Sequence, residues 1–141
     1  MTIKEIQNEI IDEFSMFDDW MQRYEYIIEL GKSLPLIKEE YKTDENLIKG
    51  CQSKVWLQGE QNDDKIVFTA DSDAILTKGI IAILIRAFSN QKAEDIINAD
   101  TQFIDEIGLK EHLSATRANG LVSMIKNIKM YALAFDSKNK N

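Results

Sequence analysis

Apolar residues recur every three or four positions at the start of the chain. Ile3, Ile6, Ile10, Phe14 and Phe17 share one face of a helix from about Ile3 to Phe17. Thr2 and Glu5 have the spacing of a capping box, in which each side chain accepts a hydrogen bond from the other residue's backbone amide. Asp18 or Asp19 can cap a second helix that turns Trp20, Tyr24, Ile27 and Ile28 inward. Gly31 is placed to end it in a left-handed conformation, with Pro35 confirming the break. Residues 36–50 lose this periodicity. They predict a long connection with one short helical turn, polar from Lys38 to Asn46 and closed by Gly50. A connection of that length in a compact domain is more often functional than idle.

The pattern then changes period. Lys54–Gln58 and Lys65–Ala70 are rich in Val, Ile, Trp and Phe with partial alternation, and Gln61-Asn62-Asp63-Asp64 suits a hairpin loop between them. A lone hairpin is marginal in water, so helices must cover it, with a third strand expected alongside. Asp71-Ser72-Asp73 signals a helix start, with Asp73 the expected cap. The helix after it, to about Ser89, is apolar nearly all round (Ile75, Leu76, Ile80, Ile81, Ile83, Leu84, Phe88) and belongs at the centre of the core. Two short helices follow, Ala93–Asn98 and Thr101–Ile107, the second stopped by Gly108. A last long helix begins after Ser114 and buries Leu121, Met124, Ile125, Ile128, Ala132 and Phe135. Strands and helices are segregated. The fold class is therefore α+β, a small antiparallel sheet of two to three strands packed against several helices. One domain is expected over residues 1–141, with 136–141 a frayed tail.

Composition narrows the function. The chain has 141 residues, 44% hydrophobic and 29% charged, with six Gly and one Pro, which describes a globular, helix-rich protein. A net charge of −7 repels phosphate backbones, so nucleic acid is not expected as a partner. The apolar run Gly79–Ile85 is far short of the roughly 20 residues of a membrane span, so no membrane partner is expected. One cysteine excludes an intramolecular disulfide and fits a reducing compartment, and the first residues lack the shape of a signal peptide; a cytoplasmic location is expected. No Gly-rich nucleotide loop and no Gly-x-Ser-x-Gly elbow occurs. One Cys and one His, His112, cannot make the four-ligand set of a cluster or structural zinc. The chain is expected to hold no cofactor and no metal of its own.

Cys51 remains. It lies on neither a helix face nor the alternating part of a strand, among Lys49, Gly50, Gln52, Ser53 and Lys54. The two lysines favour a thiolate, and Gly50 permits a backbone angle that can aim the side chain. On position alone, an inert half-buried thiol and a reactive one are equally good readings.

Sequence words around it change that balance. Gly50-Cys51-Gln52-Ser53-Lys54-Val55-Trp56-Leu57 resembles the cysteine motif of the SufE family. So do Tyr26-Ile27-Ile28-Glu29-Leu30-Gly31 upstream and Asp71-Ser72-Asp73-Ala74 with Lys78-Gly79 downstream. So does His112-Leu113-Ser114-x-Thr116-Arg117-x-Asn119-Gly120-Leu121 near the C-terminus. The resemblance runs in order from about Trp20 to Ile128. It departs at Ser89–Asp95, where the family often has a Gly and a Pro in a helix-to-helix turn; Asn90 can take the left-handed position instead.

The resemblance implies a SufE/NifU-like domain that works beside a pyridoxal-phosphate cysteine desulfurase (SufS-like). The pyridoxal phosphate belongs to that partner. Cys51 would take the sulfur as a persulfide and hand it to an iron–sulfur scaffold (a SufB-containing complex). Turnover by the chain alone is not expected. Alternatives are a regulator that binds the desulfurase without carrying sulfur and a carrier of the paralogous CsdE type, and the chain would be a monomer or homodimer. Gly50, Gln52, Ser53, Asp73, His112 and Arg117 are the supporting or docking candidates. Asp73 would cap the next helix and could steady the Cys51 loop. Arg117, unfavourable in a first helical turn, would serve an ion pair or a contact to the desulfurase. Shelter for the persulfide is expected against Ile48 or Val55. Trp56 is expected in the core, and Glu29 and Lys78 as solvated or paired charges.

Overall fold

A computed structural model describes residues 1–140. It contains α1 (Ile3–Phe14), α2 (Trp20–Gly31), β1 (Val55–Asn62), β2 (Lys65–Ser72), α3 (Ile75–Phe88), β3 (Gln91–Lys92), α4 (Ala93–Asn98), α5 (Gln102–Glu106), α6 (Leu109–His112) and α7 (Ala115–Asn139). The sheet is antiparallel in the order β1-β2-β3. This is the α+β class expected, with the third strand present.

Local chemistry accounts for most boundaries. The Thr2–Glu5 capping box opens α1, with both reciprocal hydrogen bonds formed. Asp19 caps α2 by accepting from the Gln22 amide at 2.8 Å. Helix α1 stops at Phe14, short of Phe17, because the chain must turn within a few residues to reach the Asp19 cap. Phe17 still packs inward, 5.0 Å from Tyr26 between ring centroids.

Gly31 is not a left-handed terminator. It is the last residue of α2, and Lys32 continues in right-handed geometry at φ −68°. What Gly31 supplies is closeness. A Cβ on it would lie 3.0 Å from the Gly79 nitrogen, and a Cβ on Gly79 would lie 2.1 Å from the Ile27 carbonyl oxygen. Helices α2 and α3 therefore meet backbone to backbone. Helix α3 also packs against α1, β2 and α7. Ten of its fourteen residues are buried as a result. Ile75, in its first turn, is an exception at 69% exposed.

The hairpin is longer than the hydrophobic pattern suggested. Gln61 and Asn62 pair with Ile66 and Lys65, leaving a two-residue turn at Asp63-Asp64 with Asp63 at φ +58°. Val55, Leu57 and Gly59 face the core with Ile66, Phe68 and Ala70. Trp56 lies on the opposite face of β1, half-buried beneath the Lys42 ammonium at 5.5 Å, not in the core. Asn90 takes the left-handed turn position at φ +60°, as the sequence allowed, and delivers β3 to the edge of β2.

The connection 32–54 is stitched to the sheet. Its backbone brackets Ala70, whose amide donates to the Pro35 carbonyl while the Ile37 amide donates to the Ala70 carbonyl (both 3.1 Å). Two 3₁₀ turns, Glu39–Tyr41 and Asp44–Asn46, carry it across to β1. Residues 136–139, expected as a tail, continue the last helix. Helix α7 runs to Asn139 with Lys140 as its cap, held by a Lys140–Asp136 ion pair (3.0 Å) and by Gln61 donating to the Asn139 side chain (3.1 Å). Asn141 lies outside the described residues. Of the stripe expected on α7, Leu121, Met124, Ile128 and Ala132 are buried, while Ile125 and Phe135 pack at its margin. Among the described residues no helix is long and apolar enough to cross a membrane.

Candidate functional site

Cys51 sits on a short loop pinned at its base. The Ile48 amide donates to the Val55 carbonyl at 2.8 Å, closing the loop where it meets β1. The Lys54 amide donates to Asp73 Oδ1 at 3.0 Å, and the Asp73 amide returns a bond to the Lys54 carbonyl at 3.2 Å. Between these pins, among the described residues, the backbone of residues 50–53 has only the local turn at Lys49-Gly50 and makes no hydrogen bond to another element.

Asp73 is thus not the cap of α3. The cap position is Ala74, without a side-chain hydrogen bond, and the Asp73 carboxylate faces back toward the loop. A carboxylate shared with a strand-start amide two elements away cannot be read from a helix-start signal.

Gly50 has φ +93°, a conformation that side chains resist, and a Cβ there would come within 2.6 Å of Ser123 Oγ. The angle turns Cys51 toward the first turns of α7. There the thiol donates a weak hydrogen bond to the Gly120 carbonyl, with Sγ 3.6 Å from the oxygen. Gly120 makes this approach possible, since a Cβ on it would stand 3.3 Å from the sulfur. The pairing explains why a buried helix interior carries a glycine at a cost of about 1 kcal/mol relative to Ala.

Beside the sulfur is a cavity of about 50 Å³, lined by the Cys51–Ser53 segment, by Thr77 and Ile80 of α3, and by Thr116, Arg117, Gly120 and Met124 of α7. The sheltering apolar side chains are Ile80 and Met124, not the expected Ile48 and Val55. Burial pushes the Cys51 thiol above its ordinary value. No lowering by Lys49 or Lys54 accompanies it, so the thiolate bias read from the sequence is absent in this closed arrangement.

The remaining candidates divide. Gln52 is exposed and Ser53 half-buried, and both line the cavity. Arg117 is exposed at its mouth and, among the described residues, has no carboxylate within ion-pair distance, so an internal ion pair does not explain its place in the first turn of α7. His112 is not part of the cavity lining. It stacks on Trp20 with ring centroids 4.0 Å apart and holds the Gly108 carbonyl through Nδ1 at 2.9 Å. Glu29 and Lys78 are paired as expected, with Lys32 and Asp71. Sequence reasoning missed Thr77, Ile80 and Met124, and used Gly120 only as part of a word. The available signals were a hydroxyl in an otherwise apolar helix and a glycine inside a long one.

The arrangement holds one half-covered thiol against α7 by a single weak hydrogen bond, beside space for little more than one atom.

Comparison with known proteins agrees with the sequence words. An uncharacterized SufE-like protein of Rhizobium meliloti (strain 1021) is 45% identical over 130 residues, covering 89% of this chain and 93% of its own length. Another from Rhizobium etli is 43% identical over 127 residues, covering 86% of each. The solution structure of a hypothetical protein from Thermus thermophilus superposes with a TM-score of 0.76 over 92% of this chain and 94% of that one. At 14% identity that likeness shows the fold alone. Residues 8–132 match the SufE family, described as an Fe-S metabolism associated domain, and the chain belongs to that family.

Proposed function

We propose that this protein is a sulfur carrier: Cys51 accepts a sulfane sulfur from a pyridoxal-phosphate-dependent cysteine desulfurase and passes it to an iron–sulfur assembly scaffold. The observation that carries this reading is the lone thiol seated against Gly120 beside a cavity of about 50 Å³, on a loop pinned only at its ends.

The chemistry needs no more than that thiol. With the loop open, Cys51 loses its proton to solvent and the thiolate attacks the terminal sulfur of the donor persulfide. The donor S–S bond breaks and its electron pair returns to the donor cysteine as thiolate. A new S–S bond of about 2.05 Å forms on Cys51. Nothing is oxidised or reduced overall. A second cysteine nearby could resolve the persulfide into a disulfide, so a single cysteine in the chain suits the task. Loop closure then removes the sulfane sulfur from reductants and oxidants. The cavity exceeds the roughly 30 Å³ share of one water, enough for one added sulfur and not for a bulky reductant.

Intact-mass measurement after incubation with a desulfurase, cysteine and pyridoxal phosphate tests the reading. A gain of one sulfur mass, abolished in Cys51→Ser, is expected. Stimulation of the desulfurase by Cys51→Ser equal to that by the native protein would instead identify a regulator that carries no sulfur.

A further inference from the structure

The cavity beside Cys51 contains a polar group that the closed thiol does not use. Thr77 is only 6% exposed, lies on α3 and lines the cavity with the cysteine. Among the described residues its hydroxyl makes no hydrogen bond. Nor is it sealed off: among the described residues the one fully buried side-chain atom without a partner is Trp20 Nε1, so the Thr77 hydroxyl is a free donor within reach of a group placed in the cavity. The thiol proton is already directed elsewhere, to the Gly120 carbonyl.

Adding a sulfur reverses what the pocket must supply. A persulfide's terminal sulfur carries negative charge once its proton leaves, and the Gly120 carbonyl is an acceptor that cannot stabilise it. A hydrogen-bond donor is required. Gln52 and Ser53 travel with the loop, and Thr116 and Arg117 are exposed at the cavity mouth. Thr77 alone is both buried and fixed to the most deeply packed helix of the fold. A helical threonine has two accessible rotamers, so its hydroxyl can turn toward the cavity without moving the backbone.

We infer that Thr77 is the positioning residue for the transferred sulfur, donating a hydrogen bond to the terminal sulfur of the Cys51 persulfide after the loop closes. This inference rests on Cys51 being the carrier. No new redox step enters, because the hydroxyl proton is shared and not transferred.

The test loads sulfur chemically, with inorganic polysulfide, so that it does not depend on any desulfurase. Native protein, Thr77→Val and Thr77→Ser are loaded. Loss of the added sulfur mass is then followed during exposure to glutathione. Thr77→Val keeps the shape and removes the donor, and its persulfide should decay about tenfold faster, the loss of roughly one hydrogen bond to a charged group. Thr77→Ser retains the donor and should decay within about twofold of native. Alkylation of the unloaded thiol should be equal in all three, since the thiol bonds to Gly120. Equal decay of the valine variant and native protein would overturn the inference. So would serine decaying as fast as valine, or a matching rise in unloaded alkylation, which would mean the pocket had merely loosened. Failure of a desulfurase to load Cys51, with the valine effect intact, would count against the carrier reading and leave the role of Thr77 toward a persulfide standing.

Discussion

Two places in this molecule bring distant chain segments together through glycine, and they use the closeness differently. Where α2 crosses α3, Gly31 and Gly79 let backbone touch backbone, and a Cβ added to Gly79 would stand only 2.1 Å from a carbonyl oxygen. No space is left, and the contact is bounded by regular helices on both sides. At the thiol, Gly50 and Gly120 also remove side chains, but the space goes to a sulfur and to a cavity beside it. One partner there is a loop whose tip has no backbone anchors. The first arrangement fixes the fold. The second seats a thiol against the fold with a single weak hydrogen bond. Glycine spacing alone does not tell the two apart; what surrounds the contact does.

Substitutions can break or sharpen that contrast. The largest effect is expected at Gly79→Ala. The added methyl has no room, the helices must separate, and stability should fall by about 3 kcal/mol or more in urea unfolding. A loss under about 1 kcal/mol would mean that the crossing is softer than its geometry. Gly120→Ala should act in another way. Helix propensity gains up to about 1 kcal/mol while the methyl crowds the sulfur, so stability should stay near native. The untethered loop yields before the helix does. Alkylation of Cys51 by iodoacetamide should accelerate about three- to tenfold. Because burial raises the thiol pKa, the native protein should react with a pH midpoint above that of an exposed cysteine, and Gly120→Ala should move the midpoint down toward it. An unchanged profile would show that the loop tolerates the methyl in place. The smallest effect is expected at Asp73→Ala. It removes one acceptor from an exposed amide, costing about 0.5–1 kcal/mol and speeding alkylation about twofold, with Asp73→Asn intermediate. Equal rates in all three would release Asp73 from its assigned part in steadying the loop.

What the sequence made legible was whatever depends on near neighbours. The Thr2–Glu5 box, the Asp19 cap, the all-round apolar α3 and the left-handed Asn90 each follow from a few adjacent residues. The errors involve partners far along the chain. Asp73 has the chemistry of a helix cap, yet its carboxylate goes to Lys54. Gly31 has the chemistry of a helix end, yet its use is set by Gly79. Lys49 and Lys54 promised a thiolate, but burial against α7 decides the state of the thiol. The cavity joins residues near positions 51, 77 and 120, three elements whose meeting no periodicity announces. The motif words located the cysteine; its surroundings became visible only in the folded chain.

The long final helix has a practical implication for watching the loop. Cys51 rests near one end of α7, while Asn139 lies at the other, about 28 Å from Gly120 at roughly 1.5 Å per residue. The hydroxyl of Tyr131 fastens the intervening span to Leu57 in β1. A fluorescent label near Asn139, attached by chemistry that spares thiols, would therefore ride on a braced rod, remote from the sulfur, and give a steady reference against which excursions of a second dye on Gln52 could be measured.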